Sequence, residues 1–353
     1  MQAPSSTFSQ LFLAIAEGRE TARLDSRDPA KSDTACGQTR DRFVKYITNG
    51  RSSLFWLLPT LALIPATGSH CTRTPDSRAD RSTPAPVRRI VALAPNTVEI
   101  ISELGAGDLL VGVSEFTVYP PETSHLPRIG GLRDPDLETI LKLRPDLVIL
   151  RGRQENLEAV CRSRGIAVYY DPTNLLADLY RTIADLGGLL DRRPQADALC
   201  ERIRRQLDHI RHQADGKPRV RVLMSMRSPD RLSDIGTPAR GSYLHELLEL
   251  AGGENIFGDL DAAYPQVGIE EIVARRPEVI LEIMPGYKPP SNDAAIVEQW
   301  RPLSAVPAVR DGHVHVITED YALIPSPRIV LLAQKLLTLL HPEVAVDGSS
   351  LTR

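Results

Sequence analysis

The chain has 353 residues, a formal net charge of −3 and 25% charged residues. That length exceeds the roughly 100–200 residues of one typical domain and points to two lobes plus a non-structural extension. A near-neutral balance without a long basic block excludes nucleic acid as the expected partner.

Residues 54–66 (LFWLLPTLALIPA) form the first informative stretch, an apolar run preceded by Arg40, Arg42, Lys45 and Arg51. The run is too short for the roughly 20 residues of a spanning helix and carries two prolines, so it reads as the core of a signal sequence. Residues 1–71 are therefore expected to be a leader, with residues 1–39 as an unusually long stretch ahead of the signal. Cys71 lies where a lipoprotein would be cut and acylated, but His70 departs from the small residue usual before such a cysteine. Acylation at Cys71 and cleavage after Gly68 both stay open. Residues 72–87 (TRTPDSRADRSTPAPV) are a Pro/Ser/Arg-rich tether that buries no core. Export follows, to the periplasm or to the outer face of a membrane.

From Arg88 the periodicity becomes regular. A β-branched run over 89–93 ends at Pro95-Asn96-Thr97, and an amphipathic stretch carrying Val98, Ile101 and Leu104 follows. That is strand, turn and helix. Strands are predicted over 109–113, 147–150 and 167–170, with a helix over 137–143. Residues 194–213 open on a proline and place Ala198, Ile203, Leu207 and Ile210 near helical spacing, which predicts one long helix over 194–215. A second series restarts at Arg219, with strands over 220–226, 278–283 and 313–317 and helices over 242–251, 269–274 and 327–340. Strands alternating with helices imply parallel sheets covered on both faces. The expected architecture is α/β, two Rossmann-like lobes over 88–193 and 216–345 joined by the helix 194–215, with a ligand cleft between them and a tail over 346–353.

The restart is visible residue by residue. Leu137-Glu138-Thr139-Ile140 leads to Arg144-Pro145-Asp146-Leu147-Val148-Ile149, and Ile269-Glu270-Glu271-Ile272 leads to Arg276-Pro277-Glu278-Val279-Ile280-Leu281. Each copy is a helix that stops before a proline and feeds a buried strand. Glu138 and Glu270 sit near the helix starts, where a carboxylate suits the positive dipole end. They read either as helix caps or as two equivalent anionic knobs for a pseudo-symmetric partner with basic pockets.

The segments 91–99 (VALAPNTVE), 111–114 (VGVS), 119–121 (YPP), 137–141 (LETIL), 144–149 (RPDLVI), 251–257 (AGGENIF), 265–267 (PQV) and 326–329 (SPRI) together resemble the cobalamin and ferric-siderophore family of periplasmic binding proteins. The resemblance covers about residues 88–342. It implies a solute-binding component of an ABC importer that takes a corrinoid such as cobalamin, or alternatively a ferric siderophore or haem, in the interlobe cleft. It also implies that Glu138 and Glu270 meet arginines of the permease membrane subunits. No cofactor of its own is expected beyond the bound solute, and a monomer is expected.

Ligands of open parallel sheets bind beyond the carboxyl ends of the strands. That rule selects Asn96, Phe116, Tyr119, Leu132, Arg133 and Arg153 in the first lobe and Met226, Arg227, Tyr243, Tyr264 and Tyr321 in the second. Phe116 matches an aromatic position of the cobalamin-binding members, whereas Leu132 stands where a tryptophan is expected. Aromatic walls suit a flat macrocycle, and Arg133, Arg153 and Arg227 suit an anionic chelate. Each has an alternative as a loop anchor or solvated charge. Asp134-Pro135-Asp136 reads as the cap of the helix carrying Glu138. His313-Val314-His315 places two imidazoles on one strand face, but without matching ligands in the first lobe no metal site is expected. A zinc or manganese carrier and a chelatase-like enzyme are the weaker alternatives. The chain holds no Gly-x-Ser-x-Gly elbow, Walker loop, dinucleotide fingerprint or His-Glu-x-x-His helix, so a non-enzyme is expected. Cys161 and Cys200, without metal-site spacing, read as small buried hydrophobes.

Overall fold

The computed structural model describes residues 86–287 and 293–344. The apolar run at 54–66, Cys71, nearly all of the tether and the tail 346–353 lie outside the described residues. The first lobe runs β1 (Ile90–Ala92), α1 (Pro95–Glu103), β2 (Leu110–Val113), α2 (Leu137–Lys142), β3 (Leu147–Leu150), α3 (Glu155–Ser163), β4 (Ala167–Tyr170) and α4 (Leu176–Leu189). α5 (Arg193–Ala214) follows. The second lobe runs β5 (Val220–Ser225), β6 (Ile235–Gly236), α6 (Tyr243–Leu250), β7 (Gly253–Asn255), β8 (Gln266–Val267), α7 (Ile269–Arg275), β9 (Val279–Ile283), α8 (Ala294–Trp300), α9 (Pro307–Arg310), β10 (Val314–Ile317) and α10 (Ile329–Leu340).

The first sheet has the order β2-β1-β3-β4, and the second, taken from one edge, runs β7-β5-β9-β10. All pairs in both are parallel. The two lobes therefore repeat one topology. Register agrees as well: Ile90 stands beside Leu147 and Val222 beside Val279, the same positions of the duplicated motif. β6 and β8 add a small antiparallel pair in the second lobe alone.

α5 begins with proline at its first turn, contains no glycine and buries Ala196, Leu199, Ile203, Leu207, Ile210 and Ala214. Spacings of three and four residues put these on one stripe, which packs on α4 of the first lobe and on α10 and α6 of the second. One continuous core runs from Ile90 through this helix to Leu340. Separate clusters fill the opposite face of each sheet. The helix is thus a shared wall of both lobes. At its start the chain passes close to α4, where a Cβ on Gly187 would collide with that of Ala196.

α3, α4, β6, β7, β8, α8 and α9 go beyond the elements read from the sequence. α4 carries Leu179, Ile183 and Leu186 inward at helical spacing, but Gly187-Gly188 interrupts its pattern with weak helix formers. Cys161 and Cys200 are both buried, as small hydrophobes are.

Candidate functional site

The loops that leave the carboxyl ends of the strands gather the sequence-selected residues into two groups. One group retains surface. After β2, Phe116 is half-buried, and its ring lies 3.4 Å from where a Cβ on Gly131 would stand. It packs in the same cluster as Leu132, which is 5% exposed. Gln154 Nε2 donates to the Leu132 carbonyl at 2.6 Å, tying the loop after β3 to this wall. Arg133 and Arg153 are exposed, Tyr119 and Tyr321 are half-buried, and Tyr264 keeps 5% exposure.

The other group is sealed inside the lobes, which corrects the expectation that it faces a ligand. Arg227 has a fully buried side chain. Its Nε donates to Glu282 at 2.8 Å, and its Nη1 donates to the carbonyls of Ser228 and Arg231 and to Gln299. A guanidinium held this way offers no fork to a chelate. Tyr243 is 2% exposed in the first turn of α6, and burial pushes its phenol well above the ordinary value. Met226 is 1% exposed and exchanges two backbone hydrogen bonds with Gly236. Asn96 is 2% exposed and donates its amide to Asp171 at 2.9 Å. Asp171 is the hub of that corner, accepting also from Arg151 at 2.9 Å and from the Thr173 amide and hydroxyl. All four follow a strand in sequence, but in each case the chain turns inward before reaching solvent.

A residue without an assigned role in the sequence reading stands at the lobe boundary. Arg328, at the start of α10, donates Nη2 and Nε to the Glu99 carboxylate of α1 at 2.6 and 2.8 Å, and Nη1 to Asp320 at 3.0 Å. Its guanidinium carbon lies 4.0 Å from the centre of the Tyr119 ring and 5.8 Å from that of Tyr321. Two aromatics selected as ligand walls thus stack on one cation that bridges the lobes. Burial raises the Glu99 pKa, opposed by hydrogen bonds from Arg328 and Ser326. Both halves of this pair lie in the segments 91–99 and 326–329 that carry the family resemblance, which was the available signal. A second crossing joins the Leu176 amide to Glu246 at 2.6 Å and the Tyr243 amide to the Asn174 carbonyl at 2.7 Å. Beside the Glu99 bridge, a groove of about 630 Å³ is lined by Glu99, Glu103, Asp108, Tyr119, Glu122 and His125. It belongs to the first lobe and flanks α1 rather than the strand ends.

Asp136 caps α2, accepting from the Thr139 amide at 3.0 Å and from its hydroxyl at 2.6 Å. These bonds hold the Asp136 carboxyl below its ordinary range. Glu138 is left free of capping work, 78% exposed, with Lys142 at 2.6 Å. Glu270 occupies the equivalent first turn of α7, exposed, after an N-cap glycine. Among the described residues no group of three or more His, Cys, Asp or Glu side chains is arranged to hold a metal ion. His315 is pushed down by burial and by His313 beside it.

Comparison with known proteins gives one consistent answer. A family model for periplasmic binding proteins matches residues 90–321. The vitamin B12-binding protein of Vibrio parahaemolyticus is 30% identical over 245 residues, covering 69% of this chain and 86% of the relative. That of Vibrio cholerae is 30% identical over 262 residues, covering 73% and 90%. Among solved structures, the periplasmic vitamin B12-binding protein of Vibrio cholerae aligns with a TM-score of 0.61 at 30% identity, over 72% of this chain and 97% of that one. A periplasmic heme-binding protein from Pseudomonas aeruginosa aligns with a TM-score of 0.62 at 23% identity, over 73% and 94%, a likeness of fold alone.

Proposed function

We propose, for a chain that belongs to the periplasmic binding protein family, that it is the solute-binding component of an ABC importer and carries cobalamin in the cleft between its lobes. The observation that carries this reading is the 30% identity to vitamin B12-binding proteins across the folded region, covering 86–90% of their lengths. Those relatives are binding proteins, in line with capture and release rather than turnover. Phe116, Tyr119 and Tyr321 supply apolar and aromatic surface for a corrin ring, to which Leu132 and Tyr264, each 5% exposed, add little. Arg328 holds Tyr119 and Tyr321 in place through its stacking, and Glu99 fixes Arg328. The protein acts outside the cytoplasm, in the periplasm or anchored to the outer face of a membrane, and Glu138 and Glu270 dock it on the permease subunits.

A ferric siderophore or haem is the second reading. Arg133 and Arg153, both exposed beside the first-lobe wall, favour it, since guanidinium forks suit anionic oxygens.

Calorimetric titration of the purified protein with cyanocobalamin, haem and ferric siderophores tests both. Saturable one-to-one binding of cyanocobalamin is expected, weakened about tenfold or more by Phe116→Ala, because aromatic anchors dominate such sites. Binding of an anionic chelate alone, lost on Arg133→Ala or Arg153→Ala, would replace the corrinoid with that chelate.

A further inference from the structure

The glutamates at 138 and 270 are one half of a larger repeat. In both lobes the helix that begins with the glutamate ends at an arginine in the left-handed region, Arg144 at φ 48° and Arg276 at φ 50°, each directly before a proline. Left-handed geometry is unfavourable for an ordinary side chain and is the position where glycine usually closes a helix. The chain keeps arginine there twice.

The usual structural reason for a basic residue at that place is already filled. The free carbonyls at the end of α2 are taken by Arg89, whose Nη2 and Nε reach the Leu143 carbonyl at 2.7 and 3.0 Å and whose Nε also reaches that of Arg144 at 3.2 Å. In the second lobe the same position of the repeat, Arg221, donates Nη2 to the Arg275 carbonyl at 2.7 Å. The strand starts are pinned alike: Asp146 accepts from the Arg89 amide at 3.1 Å, and Glu278 accepts from the Arg221 amide at 3.0 Å. Carbonyl satisfaction and dipole compensation thus fall to Arg89 and Arg221. Arg144 and Arg276 are both exposed, and among the described residues neither guanidinium has a hydrogen-bonding or ionic partner. Their backbone is held from both sides, and among the described residues their charge meets no partner.

We propose that Arg144 and Arg276 are a second pair of docking contacts, so that each lobe presents a glutamate and an arginine at opposite ends of one helix to the same membrane partner. This rests on Glu138 and Glu270 being docking residues. The partner surface it specifies carries, in each of two equivalent halves, a basic pocket for the glutamate and a carboxylate for the arginine. Four alternating charges fix the register of the two surfaces, which two carboxylates alone would leave free to slide or rotate. One difference between the lobes adds direction. Lys142 accompanies Glu138, whereas the matching position in α7 is Ala274, so the second post is the more anionic.

The test measures saturable binding of the labelled full-length protein to cytoplasmic-membrane vesicles from its own organism, together with thermal unfolding. Arg144→Gly combined with Arg276→Gly removes both side chains while suiting the left-handed backbone. Its Tm should equal or exceed that of the wild type, while vesicle affinity falls about tenfold and loses part of its salt dependence, as removal of rim charges does. Unchanged affinity would overturn the proposal, and so would a loss of affinity accompanied by a lower Tm, which would assign both arginines to folding. Glu138→Ala combined with Glu270→Ala separates the two levels. If that variant binds vesicles like the wild type, the docking reading itself fails. If it loses binding while the glycine variant keeps it, only the arginines are removed.

Discussion

The two lobes share strand order and register, yet one layer of their cores differs in kind. Leu93 and Leu150 in the first sheet hold the positions that Ser225 and Glu282 hold in the second, by the repeat that equates Pro145 with Pro277. All four residues are at most 1% exposed. In the first lobe this layer is hydrocarbon packed against Ile129, Ile140 and Leu157. In the second, Glu282 Oε1 accepts from Arg227 at 2.8 Å and from the Trp300 indole at 2.5 Å, and burial drives its pKa upward. The second arrangement is incomplete, because among the described residues Glu282 Oε2 and Arg227 Nη2 have no hydrogen-bond partner. The scaffold therefore accepts either chemistry at this depth, provided a carboxylate is met by donors from other elements. Here those come from Arg227 just after β5 and from Trp300 at the end of α8. A buried pair of this kind is a weak source of stability, since desolvation offsets much of its attraction.

Leu150→Glu imports the carboxylate into the lobe that lacks the donors. An unpaired buried charge should cost about 4 kcal/mol or more, or leave no folded protein. Urea unfolding reads the loss, and a cost below about 1 kcal/mol would mean that the first lobe can supply partners after all. Next in size is Arg227→Ala, expected to cost about 3–5 kcal/mol because Glu282 remains buried without its cation. Replacing both, Arg227→Met with Glu282→Leu, makes the second lobe resemble the first and should be neutral or stabilising by about 1–4 kcal/mol. A double variant as unstable as the single one would show that the ion pair holds the second lobe together.

The smallest effect concerns the bridge between the lobes. Glu99 faces Arg328, Ser326 and Asp320, and its pKa in the folded protein is raised above 4.5. The folded state then holds the proton more tightly than the unfolded chain, so the stability linked to Glu99 is fully present below pH 4.5 and is lost as pH rises through the raised value. The difference in Tm between wild type and Glu99→Gln should accordingly favour the wild type most near pH 4.5 and shrink toward pH 7. A difference that grows with pH would mean that Arg328 outweighs burial and holds the carboxyl low.

Local pattern was a good guide wherever one face of an element alone decides its fate. Strands over 147–150 and 167–170, the two glutamate-bearing helices and the long helix were legible because apolar periodicity and proline punctuation act within a few residues. Asp136 announced itself as a cap three residues ahead of the threonine whose amide it accepts. Position after a strand was a poorer guide to the site. It selected Phe116 and Tyr119, which keep surface, and equally Arg227 and Tyr243, which do not. Whether a loop residue turns outward depends on which distant side chains meet it.

The duplicated α/β scaffold, the helix between its halves and the paired glutamates can be read along the chain, since each is written in spacings shorter than one element or in the repetition of one. Tertiary structure alone decided that Arg227 belongs to Glu282, that Asn96 belongs to Asp171 and that Arg328 spans the lobes to Glu99. Those pairings join residues 55, 75 and 229 positions apart. Burying a polar group without a partner is costly, so its orientation is settled by whichever partner the completed fold brings within reach.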